Sequence, residues 1–131
     1  MIEILPMGDR EEEKRCLAAE AITLENPRIL VMEEGGEQLG QIVVGVERDR
    51  LWIAKISQTN GAHLQGERLT PESYFVMDSL LRSAASYGET NGATEMQTMF
   101  PDFADFFKQH GFQCREGHMY GKMNLLIHYS K

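Results

Sequence analysis

Thr70 to Gly92, TPESYFVMDSLLRSAASYGETNG, is the stretch on which the fold turns. Thr70 is an N-cap residue and Pro71 suits the first helical position, where a missing N–H costs nothing. Met77, Leu80, Leu81, Ala84 and Gly88 then recur at helical spacing, and Asn91-Gly92 supplies the stop. A long amphipathic helix of this kind needs an apolar surface to cover. The preceding residues provide it as three β-like runs: RILVMEE to Glu34, QLGQIVVGVE to Glu47 and LWIAKIS to Ser57. Gly35-Gly36 and Arg48-Asp49-Arg50 separate them, connections short enough only for an antiparallel meander. QTNGAHLQGERL, without periodicity, is expected to be a loop. TEMQTM, after the helix, is a strand free to lie parallel to LWIAKIS because a long crossover precedes it.

Further out, Ile2 to Met7 alternates as a strand does. Asp9 with Glu12 opens a helix through a capping box, and within REEEKRCLAAEAITLEN the residues Leu17, Ala21 and Leu24 form one apolar stripe, ended by Asn26-Pro27. Glu11 to Glu13 is expected to be a solvated face near the helix N-terminus. Toward the other end, Pro101-Asp102 starts a short helix, FADFFKQH, with Gly111 as its cap. FQCREGHMYGKMNLLIHYSK reads as a hairpin joined around Glu116 to Gly121.

A chain of 131 residues, 42% of them hydrophobic, is the size of one domain with its own core, spanning residues 1–131. No apolar run is long enough to cross a membrane, and the acidic start is unlike a secretory signal, so the expected location is cytoplasmic. Cys16 and Cys114 form neither a disulfide framework nor a CxxC pair and are expected to be reduced and half-buried. His63, His110, His118 and His128 show no metal-ligand spacing, so no metal site is expected. The formal net charge of −7 disfavours nucleic acid and anionic membranes and suits an amine-bearing partner.

The order strand, helix, meander, long helix, strand, short helix, hairpin, together with FKQHGF at Phe107 to Phe112, resembles the GCN5-related N-acetyltransferase superfamily over nearly the whole chain. Leu80-Leu81, Ala84, Ala85 and Gly92 match the phasing of that family's central helix. The resemblance implies an α/β (α+β) acyl-CoA N-acyltransferase fold, with a mixed sheet of about six to seven strands flanked by about three helices. It implies transfer of an acyl group from acetyl-CoA or another acyl-CoA to an amine on a small molecule or peptide. The pantetheine arm would lie between Leu51 to Ser57 and Thr94 to Met99, which marks Ile56, Ser57, Gln58, Gly61 and Phe107 as cofactor-contacting positions.

In family members the pyrophosphate sits on a glycine-rich turn at the front of the central helix, where free N–H groups and the helix dipole favour an anion. Here the corresponding positions are Glu72, Ser73, Tyr74, Phe75, Val76 and Met77, without glycine and with a carboxylate. That front end reads as self-capped. An alternative phosphate grip is QTNGAH, Gln58 to His63, if Gly61 and the amides of Ala62 and His63 form an anion nest assisted by Arg68.

The family's short-helix tyrosine, which protonates the departing thiolate, is replaced by Phe107. Tyr120 and Tyr74 are the substitutes, and Glu47 and Asp49 are the candidate bases. His63 and His110 are expected to be surface groups. Two functions stay open: an acyl-CoA-dependent N-acetyltransferase with a rebuilt phosphate grip, and a non-catalytic relative serving as a binding or dimerisation module. An exposed terminal strand, Asn124 to His128, would favour a homodimer, with Met1 to Met7 as the alternative cover for that edge.

Overall fold

A computed structural model describes residues 2–65, 68–98 and 103–123. Among them, β1 (Ile2–Pro6), α1 (Arg10–Ala19), β2 (Arg28–Glu34), β3 (Glu37–Glu47) and β4 (Arg50–Gln58) come first. A two-residue hairpin, β5 (Leu64–Gln65) with β6 (Arg68–Leu69), then leads into α2 (Pro71–Thr90). β7 (Glu95–Thr98), α3 (Ala104–Gln109), β8 (Gln113–Arg115) and β9 (His118–Lys122) follow. The main sheet has seven strands in the order β1-β2-β3-β4-β7-β9-β8, antiparallel except for the parallel β4–β7 pair. The mixed sheet with three helices is as the sequence leads one to expect.

The meander forms as its turns dictate. Glu34 pairs with Glu37 across Gly35-Gly36, whose φ values of 59° and 85° are those a tight hairpin turn demands. α2 lays its stripe on one sheet face: Met77, Leu80, Leu81, Ala84 and Ala85 have no exposed surface, and they share one core with Leu51, Ile53, Ile56 and Met96. α3 joins this face through Phe106 and Phe107. Phe112 closes the core against Gly121, where a Cβ would stand 2.8 Å from the ring.

Several local expectations change. α1 stops at Ala19, not near Asn26, because the chain closes a Schellman turn: Ile22 N donates to Leu17 O and Ala21 N to Ala18 O, with Ala21 left-handed at φ 54°. Glu13 is not solvated. It is 1% exposed, with Oε2 accepting from Ile29 N at 2.8 Å and Arg28 Nε at 3.0 Å, and Oε1 meeting Arg10. A carboxylate thus bolts α1 to the start of β2, and a buried charge is retained because each of its lone-pair sides has a donor.

The segment from Gln58 to Leu69 is not all loop, since β5 pairs with β6. α3 begins at Ala104 after a left-handed Phe103, and the expected Pro101-Asp102 start lies outside the described residues. The hairpin turn is confined to Glu116-Gly117, and His118 through Gly121 continue β9. β1 pairs with β2 at the sheet edge opposite β8, while the expected strand Asn124 to His128 lies outside the described residues. Cys114 is exposed and Cys16 partly buried.

Candidate active site

β4 and β7 are paired in parallel from Arg50↔Glu95 to Ile53↔Thr98, Thr98 being the last described residue of β7, and β4 continues to Gln58. On the β3 side, Val43 faces Lys55 and Val44 faces Ile53, which makes Ala54 the extra residue of a bulge. A bulge bends its strand and raises the local twist, here one residue beyond the last described β4–β7 pair. At Thr94 the two strands are tied by Thr94 N donating to Asp49 O at 2.8 Å.

Ile56 is buried in the α2-side core, and Ser57 and Gln58 are partly exposed at the C-terminal end of β4. Gln58 Oε1 is buried and has no hydrogen-bond partner among the described residues. An amide oxygen in that position costs about 1–3 kcal/mol until a donor reaches it. Immediately after it the chain turns: Gly61, at φ 88°, donates its N–H to Gln58 O at 3.0 Å.

The front of α2 is occupied by its own chain. Thr70 Oγ1 accepts from Ser73 N, and Ser73, which has no exposed surface, uses its Oγ to accept from His63 N at 2.8 Å. Of the three amides in the QTNGAH nest, those of Gly61 and His63 are therefore committed within the protein. Glu72 and Phe75 point to solvent.

One turn further along, α2 is clasped to α3. Tyr74 stacks on His110 and meets Phe106 edge-on, each at 5.7 Å between centroids. His110 is 7% exposed, so it is no surface group. Its Nε2 faces Asp78 Oδ1 at 2.6 Å and its Nδ1 faces Phe106 O at 2.9 Å. Asp78 also accepts from Arg82 Nε. Between the clasp and the β5–β6 hairpin lies a cavity of about 700 Å³, mostly apolar, lined by Leu64, Leu69, Pro71, Tyr74 and Phe106, with Arg68 at its rim.

No family model matches the chain, and no curated protein matches it. Solved structures do, 87 of them. Tetrahymena GCN5 is 12% identical with a TM-score of 0.63, covering 98% of this chain and 99% of that one. The ribosomal-protein-S18-alanine N-acetyltransferase from Escherichia coli is 11% identical, with a TM-score of 0.62 over 94% of each chain. The N-acetylglutamate synthase from Neisseria gonorrhoeae, solved with coenzyme A and N-acetyl-glutamate, is 15% identical with a TM-score of 0.60. That likeness covers 94% of this chain, which spans 35% of the synthase.

The fold is that of the GCN5-related N-acetyltransferases.

Within this acetyltransferase fold the predicted residues fall into separate places. Ile56, Ser57, Gln58 and Gly61 lie together at the C-terminal end of β4. Phe107 has no exposed surface and packs between Phe106 and Phe112. Glu47 sits at the opposite end of the sheet, paired with Arg50 across the β3–β4 turn, and its Oε1 accepts from Glu25 N at 3.0 Å.

Tyr120 is on the sheet face away from α2, in a polar chain absent from the sequence reading. Arg50 Nη1 donates to Gln97 Oε1 at 2.6 Å, which fixes the amide orientation and aims Gln97 Nε2 at His118 Nδ1 and at the Tyr120 hydroxyl, 3.2 Å away. His118 Nδ1 must then accept, leaving its hydrogen on Nε2. Trp52 meets His118 edge-on at 6.5 Å. Two signals mark this chain in the sequence: a glutamine in the middle of TEMQTM, where burial is otherwise apolar, and the i, i+2 placement of His118 and Tyr120 on one strand face.

Proposed function

We propose that the protein transfers an acyl group from an acyl-coenzyme A thioester to an amine. The observation that carries this reading is the stretch of β4 from Ala54 to Gln58, which runs past its last described pair with β7 and is bordered there, among the described residues, by β3 alone. An extended arm containing amides can add to a free strand edge by main-chain hydrogen bonds, and Gln58 Oε1 is an acceptor still waiting for a donor. The front of α2 does not fit the donor's diphosphate: Thr70 and Ser73 occupy the first turn, and Tyr74 to Met77 cover the backbone that a phosphate would need to approach. Phosphates would have to rest at the rim of the neighbouring cavity, by Arg68.

Acyl transfer forms a bond from the amine nitrogen to the thioester carbonyl carbon and breaks the carbon–sulfur bond. The nitrogen loses one proton and the thiolate gains one. Tyr120 is our candidate to carry a proton, because its oxygen accepts from Gln97 while its own hydrogen has no acceptor among the described residues. Glu47, held by Glu25 at the other end of the sheet, has no part in this proposal.

Titration with acetyl-CoA, followed by heat and by melting temperature, tests the reading. A hundredfold excess over Kd stabilises the fold by about 2.7 kcal/mol. No shift at millimolar acetyl-CoA overturns it. The second reading, a non-catalytic binding module, is favoured by the Thr70–Ser73 cap and the Asp78–His110 clasp, which fill ground that a cofactor-binding relative would leave open.

A further inference from the structure

On the sheet face that α1 leaves uncovered, Arg50, Glu95, Gln113, Arg115, Tyr120 and Lys122 surround a recess of about 370 Å³. Their charges do not balance. Arg50 is committed, with Nη1 on Gln97 and Nη2 on Glu95 at 3.0 Å. Arg115 holds its guanidinium over the Tyr120 ring at 5.2 Å, and neither Arg115 nor Lys122 has an acidic partner among the described residues. Three cations against the one carboxylate of Glu95 leave an excess of two positive charges, in a chain whose formal net charge is −7. Gathering cations around one hollow is unfavourable unless an anion enters it.

We infer that this recess seats the carboxylate of a small amino acid whose amine, at the far end of the molecule, is the acyl acceptor. The inference rests on the proposed acyl transfer for the fate of the amine, but not for the binding itself. A guanidinium stacked on an aromatic ring keeps its N–H edge free, and that planar fork matches a carboxylate. The volume admits a small molecule and not a polymer, and the overall negative charge repels polyanions.

The strand register sets the reach. Arg115 pairs with His118, and the next residue, Met119, pairs with Thr98, the last described β7 residue tied to β4, whereas Lys122 pairs with Glu95 at the tied end. The Arg115 side of the recess is therefore almost level with the point where β4 runs past its last described pair with β7, two strand spacings to the side, or about 10 Å. An acceptor with its amine several methylenes from its carboxylate spans that interval. A compact α-amino acid does not.

Trp52, the one tryptophan of the chain, borders this face beside His118 and serves as a fluorescent reporter. The full chain is titrated with aminohexanoate and, as the probe lacking a carboxylate, hexylamine, without any thioester present. Aminohexanoate is expected to bind at least about tenfold more tightly than hexylamine. Arg115→Gln and Lys122→Gln are each expected to weaken it about tenfold, and the double variant to erase the preference. Both residues are exposed, so melting temperatures should stay unchanged and a folding defect is recognisable. Equal binding of the two probes, no binding of either at millimolar concentration, or aminohexanoate binding that survives in the double variant overturns the inference. Since no donor is added, a chain that ignores acetyl-CoA yet selects aminohexanoate loses the transferase reading and keeps the carboxylate site, and the reverse result does the opposite.

Discussion

The two faces of the sheet differ in kind. Against α2 and α3, residues from Leu30 to Met123 make one continuous apolar cluster, including the fully buried Met32, Leu51, Met77, Leu80 and Phe107. On the other face, among the described residues, only Ile29, Val31 and Val43 form a buried apolar cluster, under α1, and the ground beyond them belongs to the Arg50–Gln97–His118–Tyr120 chain. The first face carries the apolar burial that stabilises a fold, at roughly 25 cal/mol per Å². The second carries hydrogen bonds of small net worth but fixed direction, which is what positioning a ligand requires. Apolar burial and directed hydrogen bonding are thus lodged on opposite sides of one layer.

That division can be broken most forcefully at Phe107. Phe107→Ala removes a ring with no exposed surface and is expected to cost about 3–5 kcal/mol in denaturant unfolding, while the fluorescence of Trp52 in the still-folded fraction stays the same. A shifted Trp52 signal would mean that the two faces are coupled. A smaller effect is expected at Glu13, the exception to the division: it is a charged group on the polar side that nevertheless bears structure. Glu13→Ala leaves Ile29 N without its acceptor and should lower stability by about 1–3 kcal/mol, with the fastest-exchanging new amides at the α1–β2 junction in hydrogen-exchange measurements. The least costly change is Tyr120→Phe. It deletes one hydrogen bond from Gln97, which keeps His118, so unfolding should move by about 1 kcal/mol or less, whereas turnover of any amine acetylated by the wild type should drop at least tenfold. Undiminished turnover in that variant would remove Tyr120 from the chemistry.

How much could be read from the residues alone follows the range of the interactions. The strands of the meander and the helix from Pro71 to Thr90 are specified by neighbours within a few positions, through alternation, the helical stripe and the Thr70-Pro71 start, and they were legible. The early end of α1 was not, because its left-handed residue is Ala21, and only the Ile22–Leu17 closure makes an alanine tolerable there. Glu13 looked solvated for the same reason: its partner Arg28 stands fifteen positions away, and pairing at that distance leaves no local trace. His110 was misplaced because Asp78, thirty-two positions earlier, supplies the contact that makes burial affordable. The polar chain on Gln97 depends on three strands meeting, β4, β7 and β9, and the i, i+2 spacing of His118 and Tyr120 does not name the partners from the other two.

The strand order carries one more consequence, for the way the chain is made. β8 leaves the ribosome before β9 but lies at the sheet's edge, with β9 between it and β7. Until His118 to Lys122 emerge, β8 has nothing to pair with, and the flank of β7 away from β4 lies bare. A nascent chain that has emerged only as far as Glu116 would therefore hold a finished meander beside a strand edge that invites other polypeptides, and should depend on chaperones at that stage more than at any earlier one.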